Sequence, residues 1–176
     1  MGIRNYLIEG VSGAGKTSVA TELQRRGYHV LHGDRELAYK GDPVTGKPVD
    51  PAALDHPGLD FAFRHRHHLW DVAKVKSLID DRSRAVSFFC GGSRNFASFI
   101  TLFDAVFVLD LDARTLRQRL AGRQEDEFGG RPAEQEFVLQ LLASKEDIPQ
   151  NAISIDATAP IGEVVDEILS RCGISE

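Results

Sequence analysis

Apolar positions come in short dense runs separated by longer stretches of mixed character. Tyr6-Leu7-Ile8, Tyr28-His29-Val30-Leu31, Ala85-Val86-Ser87-Phe88-Phe89-Cys90, Ala105-Val106-Phe107-Val108-Leu109 and Ala152-Ile153-Ser154-Ile155 each read as a buried strand. Runs with little polar interruption are what a strand covered on both faces requires. Between them, residues 17–26, 113–121 and 161–171 read as amphipathic helices, and Gly27 stands where a helix C-terminus favours glycine. Strands that alternate with helices predict a parallel sheet with right-handed crossovers.

Two segments break the rhythm. Residues 41–57, with Pro43, Pro48, Pro51 and Pro57, read as an irregular excursion from the core. Residues 122–132 are polar, contain Gly129-Gly130, and read as a mobile loop between helices. Ligands of open parallel sheets gather beyond the carboxyl ends of the strands, an edge both segments can reach.

The length of 176 residues suits one domain, spanning 1–176. A formal net charge of −5 argues against nucleic acid as the main ligand. The two cysteines, Cys90 and Cys172, have no partner at metal-binding spacing, so no disulfide framework is expected and a reducing cytoplasm is the natural compartment. The N-terminus lacks a signal-peptide layout, and no apolar run approaches the ~18 residues that a membrane span needs.

The strongest chemical signal is Gly10-Val11-Ser12-Gly13-Ala14-Gly15-Lys16-Thr17, a complete G-x-x-x-x-G-K-[ST] between a predicted strand and a predicted helix. Glycines let the backbone curl so that successive N–H groups point at phosphates, and the helix N-terminus adds positive potential. The motif predicts ATP as cofactor. Lys16 reaches the β- and γ-phosphates, the Thr17 hydroxyl ligates Mg²⁺, and Ser12, Gly13, Ala14, Gly15 and Ser18 complete the phosphate cradle with Gly10.

Further residues, in this order along the chain, resemble the shikimate-kinase-like and nucleoside-monophosphate-kinase-like group of small P-loop kinases. His32-Gly33-Asp34 follows the second strand, Phe63-Arg64 resembles the Phe-Arg pair of a substrate arm, and Cys90-Gly91-Gly92 resembles a glycine-rich turn after the third. Arg123 and Arg131-Pro132 resemble two lid arginines, and Ile155-Asp156-Ala157-Thr158 with Pro160 resembles an adenine-side loop. The resemblance implies a three-layer α/β/α P-loop NTPase fold with a five-stranded parallel sheet, a substrate arm at about 35–80 and a lid at about 122–132. His32 and His67 depart from it, standing where that group carries acidic residues.

On this reading Lys16, Asp34 and Arg131 are catalytic, with Asp34 orienting an acceptor hydroxyl or taking its proton. Asp34 also suits the N-cap of a helix beginning at Arg35. Arg119, Arg123 and Thr158 are expected around the nucleotide, Arg123 against adenine and Arg119 able to exchange roles with it. Arg64, His68, Gly91, Gly92 and Arg94 are expected around the acceptor, with Trp70, Phe61 and Phe63 as stacking surfaces. Ser93 is alternatively the N-cap of a helix at that edge. The expected activity is γ-phosphoryl transfer from ATP to a small-molecule acceptor, foremost a nucleoside or nucleoside monophosphate. A sugar, polyol or shikimate-like acceptor is the alternative, and an ATP-binding switch module the reading from another class.

Overall fold

The computed structural model describes residues 3–54 and 61–174. Its strands are β1 (Arg4–Glu9), β2 (His29–His32), β3 (Ala38–Lys40), β4 (His68–Trp70), β5 (Val86–Cys90), β6 (Ala105–Asp110) and β7 (Ile153–Asp156). The helices are α1 (Lys16–Arg25), α2 (Gly33–Glu36), α3 (Pro51–Leu54), α4 (Phe61–Arg66), α5 (Val72–Asp80), α6 (Ala113–Ala121), α7 (Pro132–Ser144) and α8 (Ile161–Arg171). The five predicted strands form one parallel sheet in the order β2-β5-β1-β6-β7.

Alternation along the central strands explains why the sheet is covered on both faces. Tyr6 and Ile8 of β1 and Phe88 and Cys90 of β5 enter the larger core with residues of α1, α6, α7 and α8. Leu7 and Phe89, one position out of phase, enter a second core with Leu37, Trp70, Val75 and Phe99. A period of two sends neighbours to opposite faces, so one apolar run serves two layers. Among the described residues no helix is long and apolar enough to cross a membrane.

Helix ends follow local chemistry. Gly27 closes α1 with φ of 88°, and the Tyr28 N–H returns to Leu23 O at 3.1 Å, a left-handed glycine stop. Asp112 caps α6 by accepting from Thr115 N–H at 2.8 Å. Residues 122–131 form the connection between α6 and α7.

Two local expectations are corrected. Asp34 is not an N-cap: α2 begins at Gly33 with His32 in the capping position, and Asp34 lies within its first turn. No α-helix begins at Ser93; the chain continues to 3₁₀ turns at Phe96–Ser98 and Ile100–Leu102, while Ser93 is fully buried. The stretch from Phe61 to Trp70 forms α4 followed by β4, which pairs antiparallel with β3. The far end of the 41–57 excursion, from residue 55, lies outside the described residues.

Candidate active site

Two cavities meet at the carboxyl edge of the sheet, both walled by Ser12, Lys16 and Asp34. The first, of about 470 Å³, is the nucleotide side. β1 runs into a loop in which Gly13 and Gly15 take φ of 87° and 108°, values that place the backbone where a side chain is rarely tolerated. Lys16 Nζ donates to Gly10 O at 2.5 Å and Val11 O at 3.1 Å, folding the lysine over the loop. Burial pushes the Lys16 ammonium below its ordinary pKa, against the opposing pull of Asp34 and Glu9. Thr17 and Ser18 are exposed on the cavity wall.

Two arginines of the α6 region tie this half together. Arg119 donates to Ala14 O at 2.9 Å and to Ala157 O at 2.6 Å, bridging the phosphate loop and the loop after β7. Arg123 donates to Ser12 Oγ at 2.8 Å and to Phe128 O. Arg119 thus joins the phosphate loop to the loop after β7, while Arg123 reaches the same phosphate loop through Ser12. Thr158 turns its N–H and hydroxyl to Asp156 Oδ1, at 2.9 and 2.6 Å, and is not on this cavity's wall. Ala157, Ala159, Ile161 and Val164 supply the apolar shelf instead. Arg131 is exposed at the start of α7 and lines neither cavity.

The second cavity, of about 360 Å³, lies on the other side of Lys16 and Asp34. Arg64 and His65 from α4, His68 from β4, and Gly92 and Arg94 after β5 form its polar wall, opposite Phe61, Leu141 and Ile148. Asp34 Oδ1 accepts from Gly92 N–H at 3.1 Å and from His68 Nε2 at 3.2 Å. Burial pushes the Asp34 pKa up, but the His68 hydrogen bond, the Lys16 charge and the Gly92 N–H outweigh it and hold the carboxyl below its ordinary value. Arg94 is paired with Asp147 at 2.7 Å, and Asp147 also accepts from His65. No ion pair joins Arg64 to a described residue, and its Nε is buried without a hydrogen-bond partner.

Trp70 is not a stacking surface for a ligand. It is fully buried and stacks on Phe99 with centroids 5.6 Å apart. A Cβ on Gly33 would lie 1.9 Å from its ring and one on Gly91 2.6 Å, so those glycines exist to admit the indole. Phe63 packs on His67, leaving Phe61 as the expected aromatic on the cavity wall.

Sequence reasoning missed Glu9 and Asp147. Glu9 ends β1 with 2% exposure, and its carboxylate accepts from Ser93 N–H at 3.3 Å and Gly10 N–H at 3.4 Å. Burial raises its pKa to about 7, with Arg94 and Lys16 pulling the other way. An acid closing the apolar run Tyr6-Leu7-Ile8 was the available signal. Asp147 had none, because its partners are remote in sequence.

The donor set fits a magnesium nucleotide. The loop's amides and Lys16 suit phosphates, and the exposed Thr17 hydroxyl suits a cation that takes most of its ligands from phosphate and water. Among the described residues no three His, Cys, Asp or Glu side chains converge as a separate metal site.

Sheet order and phosphate loop define the class: a small α/β protein with a P-loop and a second cavity beside it. The chain belongs to the AAA domain family, whose model matches residues 7–138. No curated protein matches it in sequence. Among solved structures it is similar to shikimate kinase from Bacteroides thetaiotaomicron, at 16% identity and a TM-score of 0.64 over 97% of this chain and 99% of that one. It is also similar to a sugar kinase from Janibacter sp. HTCC2649, at 18% identity and a TM-score of 0.59 over 98% and 96%. Deoxyadenosine kinase from M. mycoides, solved with bound dATP, aligns at 17% identity and a TM-score of 0.54 over 97% and 99%. At these identities the likeness establishes the fold.

Proposed function

We propose that this protein is an ATP-dependent phosphotransferase that moves the γ-phosphoryl group to a hydroxyl of a small, ring-bearing molecule. The observation that carries the reading is the shared wall: Asp34 and Lys16 border both cavities, so a phosphate held on one side faces a hydroxyl held on the other. The Asp34 carboxylate accepts the acceptor O–H and takes its proton as the oxygen attacks the γ-phosphorus, the bond to the β-phosphate oxygen breaks, and ADP leaves. Lys16 carries positive charge to the transferring group, and Arg123, already on Ser12, is better placed than Arg131 to add to it. Thr17 would hold the Mg²⁺ that accompanies ATP, and that ion would supply positive charge to offset the phosphates.

A hydroxyl acceptor is favoured over a nucleoside monophosphate. The latter needs a doubly charged group matched by cations, and Arg94 is already neutralised by Asp147. Arg64 remains for one polar or anionic substituent, and Phe61, Leu141 and Ile148 suit the face of a ring. Nucleosides, shikimate-like acids and cyclic sugars meet that description.

The test is ADP release from Mg-ATP against a panel of nucleosides, nucleoside monophosphates, shikimate, gluconate and polyols. One acceptor class should raise release well above the protein-alone rate. Lys16→Ala should lower that rate at least about a hundredfold, and Asp34→Asn by roughly 10²–10⁴-fold with ATP binding retained. ATP binding with slow hydrolysis that no acceptor accelerates would favour a switch module instead.

A further inference from the structure

His68 lines the acceptor cavity and is a natural contact for an acceptor, yet its hydrogen bond goes elsewhere. Its Nε2 lies 3.2 Å from Asp34 Oδ1, the same oxygen that accepts from Gly92 N–H. Oδ2 of that carboxylate has no hydrogen-bond partner among the described residues. The Asp34 side chain keeps 47% of its surface exposed and borders both cavities.

The placement of His68 is rigidly enforced. Two residues along β4, and so on the same face of the strand, Trp70 is wedged against Gly33 and Gly91. Those glycines immediately precede Asp34 and Gly92, the two residues that meet at Oδ1. The strand is also stitched to the turn after β5: Arg94 N–H donates to His68 O at 2.9 Å, and Asn95 bonds both the N–H and the carbonyl of Trp70. One buried indole thus sets the distance between the imidazole, the carboxylate and the glycine N–H. That is more construction than a histidine needs merely to touch a ligand.

We propose that His68 is a positioning residue for Asp34, occupying one oxygen of the carboxylate so that the other is left for the acceptor hydroxyl. The consequence for transfer rests on the kinase reading above; the contact itself does not. With Oδ1 held from two directions the carboxylate is fixed in rotation, and two donors favour its charged form, the form able to receive a proton. The surrounding charges act on the same pair: Lys16 from α1, Lys40 opposite His68 on β3, and Arg64 and His65 from α4. Arg94 after β5, and Glu134 and Asp147 from α7 and beyond, complete the cavity's charged groups among the described residues. Asp34 is the one of these carboxylates that the His68 imidazole engages.

The experiment follows the carboxyl carbon of Asp34 by NMR in ¹³C-aspartate-labelled protein without substrates, its signal identified by loss in Asp34→Asn. In His68→Ala the Asp34 midpoint should rise by about one pH unit, because the hydrogen bond and charge that hold it down are gone while burial remains. His68→Gln, which restores a donor, should fall between the two and serves where His68→Ala does not fold. With an acceptor in hand, His68→Ala should lower kcat about 10- to 100-fold, leave both KM values near wild type, and move the acid limb of the rate profile to higher pH. An unmoved Asp34 midpoint in a folded variant overturns the proposal. So does a raised acceptor KM with kcat retained, the mark of a direct substrate contact. A shifted midpoint in a protein that phosphorylates no acceptor sinks the kinase reading while the His68–Asp34 contact stands.

Discussion

The two halves of the site use glycine for different reasons, and the contrast separates what each half is built to do. On the nucleotide side Gly13 and Gly15 have φ of 87° and 108°, and a Cβ on Gly15 would meet nothing nearer than an Arg119 nitrogen at 3.5 Å. At Gly15 glycine is required by backbone direction alone, because a cradle of N–H groups needs left-handed turns, whereas a Cβ on Gly13 would also meet Leu116 at 2.9 Å. On the acceptor side Gly33 and Gly91 have no such φ but are pressed against Trp70. There glycine is required by volume. The phosphate cradle of the nucleotide half is thus made of main chain within one short loop, and the acceptor half of side chains converging from α2, α4, β4, the turn after β5 and the chain after α7.

The sharpest way to break that contrast is to add the same methyl group to each half. Gly33→Ala puts a carbon 1.9 Å from a buried ring that cannot withdraw, and the expected loss of stability is about 3 kcal/mol or more. Gly15→Ala meets only an ordinary contact with Arg119 at 3.5 Å, and its cost is the strain of a left-handed residue, roughly 1–3 kcal/mol. Urea unfolding of both variants measures this. Adding Trp70→Phe, which removes the ring atoms nearest Gly33, should return part of the loss to Gly33→Ala and none to Gly15→Ala. Equal rescue of the two would show that the volume argument is wrong.

The same division explains what was legible in the sequence. A loop whose function lies in consecutive backbone groups leaves a consecutive motif, so Gly10 to Thr17 could be read directly. The parallel sheet was legible because strands buried on both faces leave continuous apolar runs. β3 and β4 were not, since strands of three residues are too short to display a period. The change from helix to strand near His67 was hidden for the same reason, and with it the burial of Trp70. Arg64 and Arg94 were found as residue types, but the pairing of Arg94 with Asp147 joins positions 53 apart, which no local pattern records. Arg119 and Arg123 were found as residue types, and only the fold shows that both reach the phosphate loop, at Ala14 and Ser12.

Glu9 belongs to neither half, and its titration probes the seam between them. Its carboxyl pKa is raised from 4.5 to about 7, so the unfolded chain ionises first. Stability from this group is fully present below pH 4.5 and is lost as pH rises through 7, a total of roughly 3 kcal/mol. Asp34 and Asp147 are lowered rather than raised, so their contributions change at more acidic pH. Unfolding free energies measured from pH 4.5 to 8 should decline in the wild type and stay nearly flat in Glu9→Gln. The same slope in both proteins would place the carboxylate in water.

The smallest expected effect gives the finest test of whether the acceptor half acts by side-chain pairing. Asp147 offsets the charge of Arg94 and anchors His65, its side chain only 19% exposed, and no part of it borders the nucleotide cavity. Asp147→Asn keeps the shape and removes the charge. For an acceptor carrying an anionic substituent, freeing Arg94 should lower the acceptor KM by about three- to tenfold, on the order of 1 kcal/mol. For a neutral acceptor the loss of anchoring should raise it by a similar factor. In both cases the KM for ATP should not move, because the phosphate loop takes its geometry from its own glycines. A change in ATP affinity without one in acceptor affinity would mean that the two halves are not independently built, and that Asp147 holds the phosphate loop through Arg94 and Glu9.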